Sequence, residues 1–108
     1  MDLKQLTVAT LLINKHFRLD NPIEVKQALK ANQYYDWLLD ELSTIISYLL
    51  DNDMHQLMQV MYRIDVSEHR FKQIITSMAV GDVAEQLAVE VIRRELQKAA
   101  TRMSYANR

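Results

Sequence analysis

Residues 34–50 read YYDWLLDELSTIISYLL, and this stretch decides the fold. Tyr35, Leu38, Leu42, Ile45 and Leu49 recur at alternating spacings of three and four, and Leu39 and Ile46 widen the row. That period is one apolar stripe of an α-helix. Asp36, Asp40 and Glu41 fall beside the stripe and read as a solvated face. Tyr34, Trp37 and Tyr48 lie to one side, giving the helix more apolar surface than one core contact needs. Such a helix is either central in its bundle or touches another chain, and Tyr, Trp and Met are enriched where chains meet. Tyr34, Trp37 and Tyr48 are therefore the candidate interface residues, facing a second copy in a homodimer or another protein.

The segments on either side follow the same logic. Leu3, Leu6, Thr10, Ile13 and Phe17 form a stripe over residues 3–17. Asp20-Asn21-Pro22 ends it, and Asn21, Pro22 and Glu24 have the chemistry of a cap, first position and capping box. A short helix is predicted from Pro22 to about Ala31, carrying Ile23, Val25, Ala28 and Leu29, with Asn32 stopping or bending it. After residue 50, Asn52 suits a left-handed helix end, and Asp53 suits the cap of a helix running to Ile64. Leu57, Met58, Met61 and Ile64 would face inward there. Asp65-Val66-Ser67 reads as a tight turn, with Ser67 capping a helix that bears Phe71, Ile74, Ile75 and Met78. Gly81 and Asp82 mark the last break. A final helix from about Val83 to Met103 would bury Ala84, Leu87, Ala88, Val91, Ile92, Ala99 and Met103.

The expected fold is all-α: one domain over residues 1–108, an irregular bundle of five or six helices with short connections. Composition agrees. The chain is 49% hydrophobic and 25% charged, with one Gly, one Pro and no Cys. One Gly and one Pro cannot supply the turns of a β-rich fold, nor the glycines of a phosphate-binding loop. The absence of Cys excludes disulfides, thiolate-bound zinc and a thiol nucleophile. No cofactor is implied. A formal net charge of −1 argues against a dedicated polyanion binder. The apolar runs are only two or three residues long, and the first residues lack the pattern of an export signal. The expected location is the cytoplasm, away from the membrane.

Catalytic and metal chemistry find little to rest on. His55 follows Asp51 by four, and His69 follows Asp65 by four, but each pair straddles a helix break. No Glu-x-x-His, the repeated element of a di-metal bundle site, occurs. No serine sits in a Gly-x-Ser-x-Gly elbow. The chain reads as non-enzymatic and metal-free.

Residues 57–77 admit a second functional reading, because two short helices joined by three residues can form a helix-turn-helix. Val60, Ile64, Val66, Phe71 and Ile74 fall where that motif buries apolar groups. Met61 stands where Ala allows close approach, and Asp65 where Gly takes the left-handed turn. His69, Lys72 and Gln73 would then face a major groove, with Arg63 and Arg70 on phosphates. The corner has a surplus of only one positive charge over residues 54–79, few for duplex binding. Residues 93–108 hold Arg93, Arg94, Lys98, Arg102 and Arg108 against Glu95, a basic stretch that also suits a helix C-terminus. The runs Tyr48-Leu49-Leu50-Asp51-Asn52-Asp53 and Tyr62-Arg63-Ile64-Asp65-Val66-Ser67-Glu68 resemble small all-helical bacterial proteins of unassigned function. That resemblance implies a small cytoplasmic helical protein, a local network around Tyr62, Arg63 and Asp65, and neither activity nor ligand.

Overall fold

The computed structural model describes residues 1–26, 28–77 and 80–106, and for residues 80 and 81 the backbone only. Five helices account for most of them: α1 (Leu3–Phe17), α2 (Ala31–Asn52), α3 (Met54–Ile64), α4 (Glu68–Ser77) and α5 (Val80–Ala106). No strand occurs among the described residues. Helix α5 is the spine. All four other helices pack on it, and α1 and α2 do so most extensively. Where α1 meets α5, Ala9 and Ala99 are both fully buried, so side chains of one carbon let the two backbones approach closely.

The core runs along one side of α2, rotated from the expected stripe. Tyr34, Leu38, Leu42, Ile46 and Leu49 are buried, while Tyr35 and Ile45 are only partly so. The reason lies in one hydroxyl. Tyr34 Oη is 2.7 Å from Thr10 Oγ1, and Thr10 in turn donates to Leu6 O at 2.9 Å. A buried phenol needs such a partner, and α1 supplies it; the face of α2 turns to meet it.

The helix expected from Pro22 to Ala31 is absent among the described residues there, and Ala31 opens α2. Residues 22–26 are irregular, and a single turn closes with Leu29 N–H on Lys26 O at 3.2 Å. Asn14 explains this. Its side-chain amide accepts from Ile23 N–H at 2.8 Å and donates to Ile23 O at 2.9 Å. Both polar groups of Ile23 are thus satisfied without a helix, while its side chain is buried with Val25 and Leu29 packed nearby. Asn21 therefore caps nothing, and α2 opens instead on Lys30 N–H to Gln33 Oε1 at 3.2 Å. Asn32 lies inside α2, and so does Asn52, which donates from its side chain to Tyr48 O. Gly81 and Asp82 belong to the first turn of α5 rather than to a break. Met78 and Arg108 lie outside the described residues.

Other local readings hold. Asp53 accepts from Gln56 N–H, Ser67 accepts from Arg70 N–H, and Asp65 takes the left-handed conformation at φ 69°, ψ 43°. Leu42 is fully buried in the middle of α2. Leu42→Ala should therefore lower unfolding stability in urea by about 2–5 kcal/mol, and Tyr34→Phe by about 0.5–1.5 kcal/mol through the lost hydrogen bond to Thr10, whose hydroxyl keeps its bond to Leu6 O. A loss below about 0.5 kcal/mol for Leu42→Ala would place the core on the wrong face of α2.

Candidate functional site

The three candidate interface residues on α2 meet different fates. Tyr34 is fully buried and committed to Thr10, so it is no contact residue for a partner. Trp37 stands edge-on to Tyr34, with ring centroids 5.5 Å apart, and is half-buried beneath Lys26, whose Nζ lies 5.7 Å from the indole. Tyr48 alone is open, at 66% exposure, beside a depression shared with Arg18–Asn21 and Gln56. The remaining exposed face of α2 is acidic. Asp36, Asp40, Glu41 and Asp51 have no Lys or Arg between them anywhere in the helix. With Glu85, the first two line a polar groove of about 520 Å³. Burial, then the charge of Asp36, raises the Tyr35 phenol above its ordinary pKa.

Helix α3 leaves apolar side chains uncovered in a row, unlike Leu11 and Tyr48, which stand alone on α1 and α2. Leu57, Met61 and Ile64 face inward, as their spacing predicts, and Val60 joins them. Met58, expected among them, is only half-buried, and it shares an outer row with Met54 at 41% and Tyr62 at 80% exposure. The four-residue spacing places this row along one ridge of the helix. A depression runs on each side of it. One, of about 220 Å³, has Met58, Met61, Tyr62, Val66 and Phe71 along its wall, with Asp65, Ser67 and Glu68 at the turn. The other lies between His55, Met58, Gln59, Tyr62 and Arg63. No Asp, Glu, Lys or Arg occurs from residue 54 to 62, so the ridge is uncharged.

The expected duplex-contact groups are mostly turned to partners within the chain. Arg63 Nη1 donates to His16 O at 2.9 Å, satisfying a carbonyl in the last turn of α1. Arg70 Nε donates to Glu90 and its Nη1 to Gln73. Lys72 pairs with Glu68 one turn away, and His69 is exposed. Val60, Ile64, Phe71 and Ile74 are buried and Val66 partly so, as the motif would have them. Yet α3 and α4 do not pack on each other; α4 packs on α5 instead. The corner is splayed, and the apolar depression opens between its arms.

A polar network beneath this corner escaped sequence reasoning. Glu95 is fully buried, and His16 Nδ1 lies 2.7 Å from its Oε2. Its other oxygen is 3.5 Å from Lys98 Nζ without a hydrogen bond, and that ammonium donates to Ile64 O at 2.6 Å. Arg94 reaches Asp65 across the same junction. Two helix C-termini are thus closed by cations from other helices, a favourable arrangement for the helix dipole. The network around Tyr62, Arg63 and Asp65 takes this form, although Tyr62 joins it only through its backbone carbonyl, which accepts from Asp65 N–H. His16 sits one residue before a helix end and Glu95 nearly eighty residues later, so no local spacing pairs them.

No group of three or more His, Asp or Glu side chains that could hold a metal occurs among the described residues. No helix of the described residues is long and apolar enough to cross a membrane. No family model, curated protein or solved structure matches the chain. The likeness to small helical bacterial proteins accordingly reaches no close relative.

Glu90 gives the Arg70 assignment a pH signature. Burial disfavours its charge, but hydrogen bonds and attraction from Arg93 and Arg70 outweigh this and hold its pKa below the ordinary glutamate value. A lowered folded-state pKa adds stability above the unfolded value of about 4.3, and that stability is lost as pH falls through the folded value. Arg70→Met should be less stable than the parent at pH 7 by urea unfolding, and the gap should narrow below about pH 4.3. A gap constant from neutral to acid pH would mean Arg70 is not held by Glu90.

Proposed function

We propose that this is a bacterial cytoplasmic protein that acts by binding another protein surface, not by catalysis, with the outer face of α3 as its contact face. One observation carries the reading: in the uncharged row Met54, Met58 and Tyr62 the outer two are exposed and Met58 is half-buried between them, although α3 already buries a full apolar face on the other side. An exposed apolar row rimmed by polar groups marks an interaction surface, and Met and Tyr are the side chains such surfaces favour. The groove between α3 and α4 adds a recess beside the row, the form in which an anchor side chain is received. The duplex-binding alternative draws less support, since Arg63 and Arg70 are committed to His16 and Glu90.

A photoreactive residue in place of Tyr62, introduced in the native cell, tests this. Irradiation should yield a covalent adduct with a protein, whereas the same group at Leu11, exposed at 55% on α1, should yield none. No adduct from position 62, or equal adducts from both, would overturn the assignment.

A further inference from the structure

We infer that the recess between α3 and α4 receives an arginine side chain presented by the partner protein. The inference rests on the contact-face reading above and names the group the partner brings to it.

The recess has two parts that ask for different contacts. Met61 and Phe71 are buried and form its floor, with Met58 and Val66 half-buried and the exposed ring of Tyr62 beside them. Asp65, Ser67 and Glu68 are exposed and form its rim at the turn. Two carboxylates therefore line the recess, and no Lys or Arg does. Arg63, the cation nearest along α3, is turned to His16 O instead. A wholly apolar anchor would cover those carboxylates and return no hydrogen bond to them, which is costly. An acidic anchor would meet like charge. An arginine satisfies both parts, since its aliphatic stem lies against the apolar floor while its charged head stays at the rim. The volume, about 220 Å³, is below that of pockets for whole small ligands and suits one long side chain.

The rim already attracts cations. Arg94 Nη2 donates to Asp65 Oδ2 at 3.3 Å from the side of α5, and Lys72 Nζ lies 3.3 Å from Glu68 Oε1. Each carboxylate thus spends one oxygen on a cation of its own chain, and a carboxylate accepts at both. Because Asp65 and Glu68 are exposed, these pairs are of the weak surface kind and do not close the rim to a further donor. Arginine fits better than lysine: its flat guanidinium stacks on an aromatic ring, here Tyr62, while its N–H groups donate in plane to carboxylates.

Nuclear magnetic resonance titration of the full chain with N-acetyl-arginine amide tests this. The backbone amides of Val66, Ser67 and Glu68 and the methyl groups of Met58 and Met61 should shift together, with a dissociation constant of about millimolar, the scale for so small a ligand. N-acetyl-norleucine amide keeps the stem and lacks the charge, and it should bind about fivefold more weakly or worse. N-acetyl-glutamate amide should move none of these signals. Asp65→Asn combined with Glu68→Gln should weaken the arginine probe about threefold or more, the scale for two exposed ion pairs. Asn tolerates the left-handed conformation at position 65, and circular dichroism checks that the helices persist. No shift with the arginine probe, norleucine binding equally well, or arginine binding indifferent to the double substitution would overturn the inference. Capture of a protein through photoreactive position 62 without an arginine response would sink the anchor and leave the contact face standing. An arginine response without capture would remove the contact face, and with it the partner, and leave only a guanidinium site.

Discussion

A carboxylate with no exposure to water must be held by the groups around it, and Glu95 meets one from α1 and one from its own helix. His16 comes from α1, Lys98 from α5 itself, and Lys98 carries the contact on to the last carbonyl of α3. Leaving such a charge unpaired costs about 3–5 kcal/mol, so α1 cannot slide along α5 without meeting that penalty. Apolar burial alone tolerates small shifts of register; this junction does not. Arg63 ties α3 to α1 directly, and Arg94 ties the turn after α3 to α5.

The position of the contact face follows from that anchoring. With its C-terminal end fixed by Lys98 and Arg63, α3 turns Leu57, Val60, Met61 and Ile64 to the core and leaves Met54 and Tyr62 facing out. The same fixation opens the corner. Helix α4 leaves toward α5, where Arg70 meets Glu90, rather than folding back onto α3. The recess beside Tyr62 is the space between the two directions. Corner geometry and surface chemistry thus share one cause, the cations spent on holding helices in place.

Much of this was legible in the sequence where the relevant physics is local. Spacing gave the helices around Leu42 and Leu57, and capping chemistry gave Asp53, Asp65 and Ser67, because each depends on residues within about one turn. Pro22 to Ala31 failed because Asn14, nine residues before Ile23, takes the backbone groups a helix would have used. Tyr34 was misplaced for a related reason: its partner, Thr10, lies on another helix, and apolar periodicity cannot distinguish an aromatic turned inward by a hydroxyl from one turned out. Met58 and Tyr62 were hidden because apolar residues fall on both sides of α3, and spacing alone does not show which of them the bundle covers. Glu95 was counted only as one acid among basic neighbours, although its burial against His16 is a long-range fact.

The pinning of α1 to α5 through Glu95 is the claim on which the rest stands, and a double-mutant cycle tests it most directly. Urea unfolding of the parent, His16→Ala, Glu95→Gln and the double variant measures the energy shared by the pair. The account predicts a coupling of about 1 kcal/mol or more, within the range found for contacting members of one network. Single losses that add to within about 0.3–0.5 kcal/mol of the double would contradict it, since the two side chains would then act independently.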